Sequence, residues 1–259
     1  MQNINTYICE KLFITKSKQE KTKHTLFPKT VHELKVMITE EIKKNGVHCS
    51  LNHIDIYRLQ DLDDLFMYSD FDGDISEWDT SNIKSMENTF AWSSYTGKYG
   101  DISGWDVSNV TNMSAIFYAS KYVGDISTWD VSNVVNFKTA CQQANFDGDI
   151  SRWDVSNAKL MNSMFAYSKF TGKNGGLNNW NVSGVINMEG MFASCKLDCD
   201  LYNWNVSKVL NMYEMFYGST YSKDLSTWVL NDKCTMIDMF TGCPLIYKAE
   251  MLPKGFKKK

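Results

Sequence analysis

Seven tryptophans, Trp78, Trp105, Trp129, Trp153, Trp180, Trp204 and Trp228, follow one another at intervals of 27, 24, 24, 27, 24 and 24 residues. Twelve residues after each stands an aromatic or a cysteine: Phe90, Phe117, Cys141, Phe165, Phe192, Phe216 and Phe240. The Trp-to-Phe half is therefore fixed in length, and only the return half varies, between 12 and 15 residues. A period in the twenties marks a supersecondary unit too small to bury its own apolar face, stable only when stacked on its neighbours. One continuous array is thereby favoured over two separate domains.

Within Asp101–Phe117 the apolar period changes. Trp105 and Val107 alternate with Asp106 and Ser108, as in a short strand, whereas Val110, Met113, Ile116 and Phe117 fall on one face of a helical turn or two. Tyr122 begins the return and Gly124-Asp125 supplies turn chemistry before the next unit. Superposed, the units give further ladders: Met86, Met113, Phe137, Met161, Met188, Met212 and Met236, then Phe71, Tyr95, Tyr122, Phe146, Phe170, Leu197 and Tyr221. The methionines read as adaptable filler between aromatic layers. Asn82, Asn109, Asn133 and Asn157, four residues after Trp, suit a ladder of amides that satisfies turn backbone.

The arrangement I-x-x-W-x-V-x-N approaches the strand signature of leucine-rich repeats. The phrase W-D-V-S-N-V-x-N-M-x-x-M-F at Trp105–Phe117, with Asn for Asp at Trp180–Phe192 and Trp204–Phe216, resembles the BspA-like, mycoplasma-lipoprotein-associated repeat family. That resemblance covers about residues 54–245 and implies a surface or secreted leucine-rich-repeat protein engaged in adhesion or protein binding. The fold expectation is an α/β repeat, a leucine-rich-repeat-like solenoid of about eight 24–27-residue units with an N-terminal helical cap.

Three regions follow. Residues 1–53 form an N-terminal strand and helix cap, 54–245 the repeats, and 246–259 a C-terminal cap and basic tail. In the first, residues 6–15 read as strand, a Lys-rich loop runs from Lys16 to Lys23, and Thr30-Val31-His32-Glu33 is a capping box. Leu34, Ile38 and Ile42 continue it as an amphipathic helix over 30–45, ended by Gly46, whose apolar stripe covers Leu51, Ile54 and Ile56. Ile54 takes the Trp place of a degenerate first unit.

Formal charge is +4 for residues 1–53, −11 for 54–245 and +4 for 246–259. An acidic body argues against nucleic acid, which needs clustered Lys and Arg. No run is long enough to span a bilayer. The first thirty residues hold no apolar stretch longer than three, so there is no secretory core segment and the chain reads as cytoplasmic or virion-associated, although the resembled family is mostly surface-exposed. Seven cysteines without CxxC spacing read as free, reduced thiols.

Chemistry is sparse. All four histidines, His24, His32, His48 and His53, precede residue 54, which leaves the repeats without an imidazole for hydrolysis. His48-Cys49-x-x-x-His53 matches no common zinc spacing. The repeated acids, Asp74, Asp101, Asp125, Asp149, Asp200 and Asp224 before Trp and Asp79, Asp106, Asp130 and Asp154 after it, have two readings. One is hydrogen bonding in turns; the other is calcium at Asp70-x-Asp72-Gly-Asp74, Asn145-x-Asp147-Gly-Asp149 and Asp198-Cys-Asp200. A glycosidase would need a carboxylate pair that breaks the repeat, and these acids follow it. No metal site, cofactor or catalytic residue is assigned.

Both 27-residue spacings come from insertions that share Thr-Gly-Lys, at 96–100 and 171–175. They read either as a duplicated insertion or as loops building a binding surface, with Thr96, Lys98, Thr171 and Lys173 as candidate partner contacts. The function expected is a non-enzymatic binding or adhesion protein that presents polar repeats to a protein or glycan. The alternative is a structural component of a virion or surface appendage, within a larger assembly, anchored through the N-terminal segment.

Overall fold

The computed structural model describes residues 23–256. The strand expected at 6–15, most of the Lys-rich loop, Cys9 and the tail Lys257–Lys259 lie outside the described residues. Helix α1, Val31–Asn45, opens on Thr30, whose Oγ1 accepts from the Glu33 N–H, and it ends on Gly46 at φ 84°, whose N–H donates to the Ile42 carbonyl. Leu34 and Ile38 are its buried residues.

Each repeat is two turns followed by a ladder segment. In the unit of Trp105, the Trp105 N–H closes a turn on the Ile102 carbonyl at 3.1 Å and the Val110 N–H closes another on Val107 at 2.9 Å. From Asn112 onward the chain pairs in parallel with its neighbours. Bridges run Asp61, Ser85, Asn112, Asn136, Leu160, Asn187, Asn211, Thr235, one residue per unit. Alternate N–H groups reach the next unit: those of Met86, Asn88, Phe90 and Trp92 donate to the carbonyls of Asn112, Ser114, Ile116 and Tyr118 at 2.7–2.9 Å. The N–H groups between them, at Thr89, Ala91 and Ser93, turn back three residues within their own unit.

Both halves thus differ from the local structure expected of them. Trp105–Val107 lies between turns, and Val110–Phe117 is ladder rather than helix. The cause is a backbone period of four. Positive φ recurs at Asn88 and Trp92, at Ala115 and Ala119, at Ser163 and Tyr167, and at the matching places of other units. Over two turns a period of four places apolar residues almost as the 3.6-residue helical period does.

The columns built by this path are the core. Phe66, Phe90 and Phe117 stack at centroid distances of 5.5 and 5.6 Å, and Phe165, Phe192, Phe216 and Phe240 at 5.9, 5.6 and 5.5 Å. Cys141 fills the gap between these two runs; burial pushes its thiol up to about 12. Phe71, Tyr95, Tyr122 and Phe146 stack in a second column at 6.1–6.3 Å. The indoles of Trp153, Trp180, Trp204 and Trp228 stack at 6.1–6.5 Å and within 5° of parallel. All six described cysteines are free.

Every ladder tryptophan also spends its indole N–H on the preceding unit. Trp78 donates to Leu51, Trp105 to Ile75, Trp129 to Ile102, Trp153 to Ile126, Trp180 to Ile150, Trp204 to Leu177 and Trp228 to Leu201, at 2.8–3.0 Å. The amide ladder works in the same direction: Asn82, Asn109, Asn133 and Asn157 donate to turn carbonyls of the unit before at 2.8 Å. At the far end two short 3-10 turns, Pro244–Tyr247 and Ala249–Met251, lead to a bridge between Lys254 and Val229 and set Phe256 edge-on to Phe240.

The two environments of tryptophan give a paired prediction. Trp153→Ala, in the buried column, should destabilise by about 3–5 kcal/mol through lost burial and an unfilled cavity. Trp92→Ala, at an exposed place, should shift stability by less than about 0.5 kcal/mol. Urea denaturation of both variants checks the contrast; equal losses would contradict a core built on the ladder indoles.

Candidate functional site

The repeated acids are consumed by the turns. Oδ1 of Asp74, Asp101, Asp125, Asp149, Asp200 and Asp224 each accepts the N–H two residues on, and so does Oδ1 of Asp79, Asp106, Asp130 and Asp154. These are Asx turns, which the side chain closes by standing in for a backbone carbonyl. The Ser132 hydroxyl and then its N–H hold the Asp130 carboxyl below the usual carboxylate range; the N–H and hydroxyl of Ser151 do the same for Asp149.

The acids considered for calcium have partners of the same kind. Asp72 accepts the N–H and hydroxyl of Thr96 at 2.7 and 2.9 Å, and Asp147 accepts those of Thr171 at 2.7 and 3.0 Å. Asp74 takes the Ser76 hydroxyl on Oδ1 and the Asn52 amide on Oδ2. Among the described residues no three His, Cys, Asp or Glu side chains converge as a metal set. Nor do His48, Cys49 and His53: His48 lies 3.0 Å from the Asp72 carbonyl and 4.3 Å from the Tyr99 ring, and His53 faces Glu41 at 3.7 Å.

The two insertions are one motif built twice. In each, the threonine is pinned by an Asp 24 residues earlier and its Oγ1 accepts the N–H of the following lysine, Lys98 or Lys173, at 3.2 Å. The lysine heads differ. Lys98 Nζ sits 5.1 Å over the Tyr99 ring, whereas Lys173 Nζ is 3.6 Å from Asp198, which also takes Lys223 at 3.1 Å. Lys223 and then Lys173 hold the Asp198 carboxyl below its ordinary range. Thr96 and Thr171 are thus each held by an Asp of the preceding unit, and the exposed ammonium groups form two separate features.

A different surface carries exposed aromatics. Tyr68 and Trp92 stack at 6.1 Å, and Trp92 meets Tyr118 edge-on at 5.4 Å, so three consecutive units share one strip on the ladder face. Tyr68, Trp92 and Tyr167 are 68, 45 and 55% exposed, and each sits at φ 55–58°. Gly218 and Gly242 occupy the same place in later units without strain. A bulky ring there gains little burial and keeps a backbone conformation that disfavours it. The sequence carried one sign of this strip: Trp92 is the eighth tryptophan, 14 residues after Trp78 and out of register with the other seven.

The pinned threonines generate a stability prediction. Asp147→Ala leaves the Thr171 N–H and hydroxyl without their acceptor and should cost about 1–3 kcal/mol, while Asp147→Asn, which keeps one acceptor oxygen, should cost less. Thermal melts of both variants test this; identical melting temperatures to the parent would show the loop free of its Asp.

The family model described as "Mycoplasma protein of unknown function, DUF285" matches three times, at residues 32–147, 91–176 and 142–250. Comparison with curated proteins and with solved structures returns no match. No helix among the described residues is long and apolar enough to cross a membrane. The overlapping matches run from α1 to the last turns, with the repeats between them, and the chain belongs to the Mycoplasma family of unknown function, DUF285.

Proposed function

We propose that this chain is a non-enzymatic binding protein, a leucine-rich-repeat-like solenoid that presents its ladder face to a protein or glycan partner, as in adhesion. The observation that carries the reading is the strip of Tyr68, Trp92 and Tyr118. Tyr68 and Trp92 are exposed and stacked, with Tyr118 half-buried at the edge of Trp92, and Tyr and Trp supply large contact area at small entropic cost. The same positive-φ place carries Ala119, Gln143 and Ser194 in other units, so large rings are not required there by the fold. Polar groups flank the strip. Asn88 is bound to Asp64 at 3.0 Å, and Lys121 to Ser94 at 3.3 Å.

The non-enzymatic part of the reading is supported by the acids that recur on the surface, which are hydrogen-bonded as turn formers. Lys98 and Lys173 are further candidate contacts as exposed positive charges on an acidic body. Their pairing with Tyr99 and Asp198 makes them secondary to the strip.

An array of immobilised glycans and of extracellular proteins, probed with the purified chain, tests the reading. Trp92→Ala should weaken capture of any bound species about tenfold or more, in the range of an interface hot spot. The pair Lys98→Ala, Lys173→Ala should weaken it less, and neither variant should alter the melting temperature. Capture that survives Trp92→Ala unchanged would remove the strip from the function.

A further inference from the structure

The unit-to-unit ladder stops abruptly. In each internal unit four alternate N–H groups donate to the unit that follows; Met212, Glu214, Phe216 and Gly218, for example, donate to Thr235, Ile237, Met239 and Thr241 at 2.8–3.0 Å. The same four places in the last unit are Met236, Asp238, Phe240 and Gly242. Among the described residues none of their N–H groups has an acceptor. The C-terminal turns do not fill this role. They bond to the tryptophan half of the last unit, through Leu225 to Met251 and Val229 to Lys254, and Phe256 packs on Phe240, but those four ladder donors are left unpaired.

Beside the four donors lies a cavity of about 740 Å³ whose lining combines apolar Met236, Ile237 and Phe256 with charged Asp232, Asp238 and Lys254, with Ile237 half exposed. Donors at two-residue intervals along a slot of mixed apolar and charged lining define the chemistry of an occupant closely. It must follow the turned path of the internal ladder segments, run parallel to 235–242, offer main-chain carbonyls on alternate residues and place apolar side chains inward. Seven internal junctions already display that interface, and the open edge continues it. Like the open edge of a sheet, a backbone edge with unpaired donors is a template for added backbone.

We propose that the ladder edge 235–242 is a docking site for an apolar peptide segment of a partner protein that takes up the turned ladder path, bound by backbone addition. It rests on reading the chain as a binding protein but lies apart from the aromatic strip, so either surface can fail without the other.

A direct probe is available in the chain itself. A synthetic peptide with the sequence of residues 208–218 carries the carbonyls of Asn211, Tyr213, Met215 and Tyr217, which in the protein accept from Met188, Gly190, Phe192 and Ser194. Fluorescence anisotropy with the full chain should give saturable one-to-one binding, absent for a scrambled peptide. Hydrogen exchange should slow at the amides of Met236, Asp238, Phe240 and Gly242. Ile237→Lys, at an exposed side chain, should keep the fold and weaken binding at least about tenfold by setting a charge among the apolar side chains of the slot. Met236→Pro removes one donor and should weaken it by a similar factor. Binding of the scrambled peptide, no change in exchange at those amides, or full affinity in Ile237→Lys would each overturn the proposal. Concentration-dependent mass growth in sedimentation without peptide capture would also overturn it, in favour of stacking between copies.

Discussion

The carbonyl three residues before each tryptophan from Trp78 to Trp204, and before Ile54 in the tryptophan place of the first unit, accepts two donors, and the stack depends on that double use. Ile102 takes the backbone N–H of Trp105 in its own unit at 3.1 Å and the indole N–H of Trp129 in the next at 3.0 Å. The same carbonyl therefore closes a local turn and fastens the neighbouring unit. Leu51, Ile75, Ile126, Ile150, Leu177 and Leu201 do likewise. Phenylalanine would fill similar space but leave the second lone pair without its donor in a buried place, a loss of about 1–3 kcal/mol at the upper end of hydrogen-bond effects. This explains why the column is tryptophan throughout, while the column twelve residues on accepts Phe or Cys.

The three-residue insertions illustrate how firmly that bond fixes the register. Trp105 reaches Ile75 and Trp180 reaches Ile150 across 30 residues instead of 27, with the same 3.0 Å distance. The added residues leave the core columns untouched and emerge as the Thr-Gly-Lys loops. Length can vary only where no column passes, which is the return half of the unit.

What was legible in the sequence was what repeats with side-chain identity. The Trp and Phe columns, the amide ladder and the capping box of α1 all follow from residue type and spacing, because each is one side chain meeting its own copy or its near neighbour. Ladder geometry was not legible. A four-residue backbone period with positive φ at Ala115 and Ala119 places Met113, Ile116 and Phe117 much as a helix does, and eight residues are too few to separate the periods. Partners across units were equally hidden: that Asp72 holds Thr96, or that Lys173 meets Asp198, depends on how far the return segment carries the chain before the next unit begins. The aromatic strip left a trace only as Trp92, a tryptophan outside the count.

A stack of this kind has nearly uniform internal junctions, so its weakest points are its ends. The two ends are finished differently. At the first unit α1 adds a capped helix with Leu34 and Ile38 buried, and Thr25 and Leu26 bond the turn at His53. At the last, two 3-10 turns secure only the half of the unit that contains Trp228, which remains fully buried, while Ile237 and Asp238 on the ladder half are exposed. Each internal ladder segment is bonded to units on both sides, and 235–242 to one. Its hydrogen bonds should therefore open first, by the nearest-neighbour logic of repeat arrays, and the segment that opens most readily is also the one with backbone donors to spare. Low local stability and unsatisfied donors at the same eight residues are two consequences of one missing neighbour.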